Sequence, residues 1–220
     1  MENEKSSIEI LEAFATATGR KASAGETWFP SGISNPTIQS RRRIVIPESP
    51  SVDLFYIAYD AVTVEFGKYT LYSGVFAPVE LPAEFQLLVQ KADTLDRFKR
   101  MFRRNVVSTG SNERFDSMTE VTTSDQALYK SLLGKLRIQR EVMEILEMGE
   151  CLRLGINEIT RIPCESLKDR STLAAFISHK WILDGQLIEW LFGKVKKIKE
   201  EINKTVAQEK PADNNLRMDT

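Results

Sequence analysis

The single histidine, His179, is where nucleophilic chemistry would have to be built, because a Ser-His-Asp arrangement needs an imidazole to take the hydroxyl proton. Asp184 or Asp169 could orient its ring, and Ser166, Ser171 or Ser178 could supply the attacking oxygen. Cys164 with His179 would be the thiol version. None of these serines lies in a Gly-x-Ser-x-Gly elbow, so the plain reading of His179 is a loop histidine beside Lys180 and Trp181. A carboxylate pair is the next possibility. Asp116 and Asp125 flank an expected strand and could face one acid–base or metal site. The alternative is structural: Asp125 suits a helix N-terminus, and Asp116 can accept from amides of the preceding turn.

Metal and phosphate motifs are missing from the sequence. Two cysteines, Cys151 and Cys164, and one histidine fall short of the four ligands of a structural zinc site. There is no Gly-x-x-x-x-Gly-Lys-Ser/Thr and no Gly-x-Gly-x-x-Gly. The glycines between 25 and 32 are interrupted by Trp28 and Pro30 and read as a plain loop. No catalytic residue, metal or cofactor is therefore assigned.

Charge is more informative in its distribution than in its total. The formal net charge is -1, so no global field calls for nucleic acid, and an anionic partner must use a local patch. The densest patch is at 93–104. There Arg97, Lys99, Arg100, Arg103 and Arg104 stand opposite Leu95, Phe98, Met101 and Phe102 at helical spacing. Such a helix could rest on an anionic membrane surface, neutralise nucleic-acid phosphates or bind a protein partner, or it could simply bury its aromatic side at home. Arg41, Arg42 and Arg43 form a second run, read as charges guarding a strand. Lys194, Lys196, Lys197 and Lys199 flank an apolar stripe near the C-terminus, suited to docking on its own sheet, on a partner helix or on a second copy.

The elements that would hold these residues follow from periodicity. Ser6 or Ser7 caps a first helix carrying Ile8, Leu11 and Phe14, which Gly19 stops. Residues 20–40 read as a long loop, so 1–40 is expected to be an appendage. Short strands are expected at 43–47, 52–59, 62–66 and 69–76, with a turn at Gly67-Lys68 and a bulge at Ser73-Gly74. A further strand is expected at 85–90, and another at 115–121. Thr123 and Gln126 read as a capping box opening a long helix that Gly134 divides and Gly149 ends. Strands at 151–156, 158–162 and 173–178 follow. Asp184 caps a last helix with Leu187, Leu191, Val195, Ile198 and Ile202 on one stripe, its turns past Ile198 having little core to meet. The residues from 206 to 220 are expected to be disordered.

The Phe115-Asp116 pair, Val121, Ser124-Asp125 and the Leu-rich stretch from Ala127 together resemble a bacterial family of domains of unknown function. In that family a Phe-Asp pair leads through a strand to a Ser/Thr-Asp and a helix, and a Trp-bearing segment follows near the end. The resemblance covers about 69–192, with Trp181 near its close. It implies a fold and no chemistry. Its members are often membrane-anchored, whereas no stretch of this sequence approaches the ~20 apolar residues of a spanning helix.

These features predict one α+β domain at 41–205, a mostly antiparallel sheet with helices on one face and a long C-terminal helix. The expected function is non-enzymatic binding or scaffolding in the cytoplasm, with a peripheral site at the inner membrane face as one version. A hydrolase built around His179 and a self-associating structural protein are the alternatives.

Overall fold

Ser6 opens the first helix as expected. Its hydroxyl accepts from the Glu9 amide while the Glu9 carboxylate accepts from the Ser6 amide, a reciprocal capping box that starts α1 (Ser7–Ala17). The computed structural model describes residues 6–30, 38–63, 68–92, 109–149 and 151–209. After α1 come β1 (Ser23–Pro30), β2 (Ile38–Ser49), β3 (Val52–Thr63), β4 (Lys68–Pro78) and β5 (Leu87–Lys91). Then follow α2 (Glu113–Met118), β6 (Thr119–Thr123), α3 (Gln126–Leu133), α4 (Leu136–Met148), β7 (Arg153–Ile156), β8 (Thr172–Ile177) and α5 (Gly185–Glu209). The strands form one antiparallel sheet in the order β1-β2-β3-β4-β8-β7-β5-β6. The fold is α+β, with its sheet antiparallel throughout.

The helices cover one face. Leu11 and Ala15 of α1, Leu132 of α3, Val142 and Ile145 of α4, and Ile188, Leu191 and Val195 of α5 share one core with Ile44, Leu54, Tyr56, Val75 and Ala175 of the sheet. The opposite face carries a second, smaller core. Ile57, Tyr59, Tyr72, Phe76 and Phe176 are roofed there by Cys164 and Leu167 from the segment between β7 and β8. Two cores on one sheet explain why β3 is apolar on alternate and adjacent positions alike.

Several sequence expectations need correction. The 20–40 stretch is largely strand, because β1 pairs with β2 from Ser23↔Val45 to Pro30↔Ile38. Together with the buried Leu11 and Ala15, that makes this segment integral to the sheet. Residues 52–63 are one strand rather than two. Gly74 is no bulge: the register with β3 and β8 runs unbroken through it, and the irregularity lies at Pro47/Ser49 instead. The expected strand at 115–121 begins as helix, since Asn112 caps α2 by accepting from the Arg114 and Phe115 amides. Asp125, not Thr123, caps α3. The 158–162 stretch is irregular, because it leaves the sheet to cross its open face. Ile202 and Thr205 are buried, so α5 packs well past Ile198 and continues helical to Glu209. The expected Gly67-Lys68 turn is corrected at Lys68, which already belongs to β4 and pairs with Thr63. Gly67, the 93–104 helix and residues 210–220 lie outside the described residues. No helix among the described residues is long and apolar enough to cross a membrane.

Candidate functional site

The period of two in β2 separates the arginine run. Arg42 faces the helices, where its Nη2 stands 2.5 Å from Asp60 Oδ2 and its guanidinium lies 5.2 Å from the Trp181 ring. Arg41 and Arg43 face the other way, beside Tyr59, which pairs with Arg43 in the register. The run is not at the sheet edge. It lies inside β2, hydrogen-bonded to β1 and β3 on its two sides, so charges that guard an edge are not its role. Gly25 on β1 leaves room for the Arg43 stem, since a Cβ there would stand 3.3 Å from Arg43 Nε.

A third guanidinium arrives from the segment between β7 and β8. Tyr59 and Tyr72 stack with ring centroids 5.5 Å apart, and the Tyr72 hydroxyl donates to the carbonyl of Arg161. Burial and then the neighbouring Tyr59 raise the Tyr72 pKa well above its ordinary value, so the hydroxyl remains a donor. This bond holds the segment down on the sheet and sets Arg161 beside Arg41 and Arg43. The segment is also fixed at its base. Asn157, in left-handed backbone at φ 54°, donates from Nδ2 to Phe85 O at 2.8 Å and accepts from the Thr172 amide at 2.8 Å. Ser171 Oγ donates to Leu81 O at 2.8 Å. The wall of the site is therefore preorganised rather than loose.

Two adjoining cavities result. The smaller, of about 160 Å³, is lined by Arg41, Arg43, Tyr59, Arg161, Ile162 and Pro163. The larger, of about 910 Å³, shares Arg43, Ile162 and Pro163 with it and runs along the 157–172 segment to Ser23 of β1. Its size is that of a small-molecule site, which spans roughly 300–1,000 Å³. Charge is distributed unevenly between them. In the larger, Lys168 stands 3.6 Å from Glu165, and Arg170 stands 3.0 Å from Asp53. Among the described residues no carboxylate lines the smaller, and neither Arg43 nor Arg161 forms an ion pair.

The other candidate residues are dispersed or occupied. His179 is exposed in the bend after β8, a segment pinned where Ser73 Oγ donates to Lys180 O and accepts from Ile182 N. Among the described residues it makes no hydrogen bond to a carboxylate, and Asp184 caps α5 by accepting from the Gln186 and Leu187 amides. Ser171 lies at the far end of β8, a six-residue strand and so about 20 Å away. Cys164, Ser166 and Asp169 belong to the open-face segment with it. Cys164 is buried, and that burial raises its thiol pKa, leaving it a poor nucleophile. Asp116 accepts from the Thr109 amide at 2.9 Å and the Gly110 amide at 3.2 Å, and Asp125 accepts from the Ala127 and Leu128 amides. Both carboxylates are committed to backbone. No group of three His, Cys, Asp or Glu side chains among the described residues is arranged to hold a metal.

The C-terminal lysines are largely engaged within the fold. Lys194 is buried with Glu141 at 2.7 Å and also meets Glu144, while its Nζ lies 5.3 Å above Trp190. Lys197 is 3.8 Å from Glu141, and Lys199 donates to Asp53 O. Only Lys196 of the four lacks such a contact among the described residues. Arg97, Lys99, Arg100, Arg103 and Arg104 lie outside the described residues. Sequence reasoning missed Arg161 altogether, and it read the Arg41 to Arg43 positions as charges guarding a strand; the alternation along β2 was the available signal. No family model, no curated protein and no solved structure matches this chain, so its function is argued from geometry.

Proposed function

We propose that this chain is a non-enzymatic binding domain of bacterial type that takes an anionic ligand in the open-face groove, acting in the cytoplasm or at the inner face of the membrane. The observation that carries this reading is that Arg43 and Arg161 line one cavity beside Tyr59, and that no carboxylate lines it among the described residues. Guanidinium groups stay charged at any ordinary pH, and neither Arg43 nor Arg161 has an ion-pair partner among the described residues, so both are available to an anion. They are also poor proton carriers. A site made of arginines, a tyrosine and an inert thiol is equipped to bind and orient, not to transfer protons. Arginine matches oxyanions with paired N–H donors, which gives direction as well as charge.

Calorimetric titration with pyrophosphate tests this. The wild-type chain should bind it, and the Arg43→Ala/Arg161→Ala variant should bind at least about tenfold more weakly, since a charge-assisted hydrogen bond is worth about 1.5–3 kcal/mol. No binding by the wild-type chain, or equal binding by the variant, would remove the proposal. Both side chains are exposed, so the variant should keep its fold.

A further inference from the structure

We infer that the ligand is a phosphomonoester whose body is uncharged and bears hydroxyl groups; this rests on the anion-binding reading above and assigns the chemistry of both cavities. The smaller cavity fixes the head. A carboxylate would be matched by one arginine, whereas a phosphomonoester carries about -1.5 to -2 of charge and three acceptor oxygens. Arg43 and Arg161 supply paired donors and two positive charges for such a group from two elements, β2 and the β7–β8 segment.

The larger cavity fixes the body. A bare anion would leave its 910 Å³ unused, although Arg43, Ile162 and Pro163 line both spaces. Lys168 is matched by Glu165 and Arg170 by Asp53, which leaves Arg43 and Asp169, of opposite sign, so the lining presents no net charge to a second ionic group. An uncharged polar body needs none. Hydroxyl partners are also present. The Ser171 and Thr172 hydroxyls and the Asn157 amide are consumed in fastening the segment. Ser23 and Thr160 line the same cavity, both exposed, and their hydroxyls make no hydrogen bond to protein among the described residues. Ile159, Ile162 and Pro163 offer an apolar surface for the carbon face of a sugar. A sugar phosphate and a nucleoside monophosphate share this chemistry.

Titration of the full chain with glucose 6-phosphate, adenosine monophosphate, glucose, adenosine, inorganic phosphate and pyrophosphate separates the cases. At least one monophosphate should bind about tenfold or more tightly than inorganic phosphate, with its bare body undetectable, as expected when two subsites act on one molecule. Whichever of the two binds names the source. The Thr160→Val variant should lose most of that advantage while binding pyrophosphate like the wild type. Inorganic phosphate matching both monophosphates would overturn the inference and leave the anion site standing. Absence of any phosphate or pyrophosphate binding would overturn the anion reading itself.

Discussion

Gly74→Val should abolish the folded state, and Gly74→Ala should cost about 3 kcal/mol or more. Gly74 sits in β4 between Ile57 of β3 and Phe176 of β8. A Cβ there would stand 2.2 Å from the Ala175 carbonyl oxygen and 2.6 Å from Phe176 Cα. Those are backbone atoms of a neighbouring strand, so no rotamer change relieves the overlap. The sheet must part where its two cores meet, and a domain of this size has only about 5–15 kcal/mol to lose. Gly193 is the control. It is an exposed helical position in α5 with nothing within 4 Å of its would-be Cβ, so Gly193→Ala should gain about 0.4–1 kcal/mol. Urea midpoints of both alanine variants check the contrast. A Gly74→Ala midpoint equal to the wild type would show that β4 and β8 do not approach as described.

Lys194→Met should destabilise by about 2–3 kcal/mol, and the loss should depend on pH. The Lys194 and Glu141 side chains are only 9% and 6% exposed, with Nζ 2.7 Å from Oε2. Removing the cation leaves a buried carboxylate, partly compensated by Arg140 at 3.2 Å and Lys197 at 3.8 Å. That residual compensation places the cost below that of a fully stripped pair. Burial works against both charges, but the hydrogen bonds between Lys194 and Glu141, with Glu144 adding to them, prevail. They hold Glu141 below its ordinary pKa of 4.5 and Lys194 above its ordinary 10.5. A depressed carboxylate stabilises above its unfolded pKa and loses that contribution as pH falls through its folded value. A raised lysine stabilises below its unfolded pKa and loses that contribution as pH rises through its folded value. The wild-type contribution of the pair should thus be flat from about pH 5 to pH 10, inside those ordinary values, and the difference from the variant should shrink on acidification, as protonation relieves the buried Glu141 that the variant leaves without its lysine. Urea midpoints across that range read it directly. An undiminished difference once Glu141 is protonated would assign the loss to the lysine stem instead. Glu141→Leu combined with Lys194→Met should recover much of the stability, since a matched apolar pair avoids desolvating two ions.

Local signals were legible where the cause was local. A serine cap followed by Ile8, Leu11 and Phe14 placed α1, Gly134 divided α3 from α4, and Asp184 opened α5. The apolar run at 52–59 anticipated a strand, although not that the open face would have its own core. The failures share a tertiary origin. Ser23, Gly25 and Pro30 have poor strand propensity, yet β1 forms because β2 offers it a full ladder. Residues 113–118 become helix because Asn112 and Asp116 tie the preceding turn to it. The last turns of α5 find Ile202 and Thr205 covered, with α3 and α4 packed alongside. The candidate site was half visible. Alternation along β2 puts Arg41 and Arg43 on one side, but nothing near Arg161 in sequence says that a tyrosine in β4 will hold its carbonyl.

Backbone amide NMR of the full chain titrated with pyrophosphate locates the anion. Shifts at Gly25, Arg43, Tyr59, Arg161 and Ile162 should saturate together and vanish in the Arg43→Ala/Arg161→Ala variant. Saturating shifts confined to residues 97–104, or no shifts at any concentration, would contradict an anion site on the open face of the sheet.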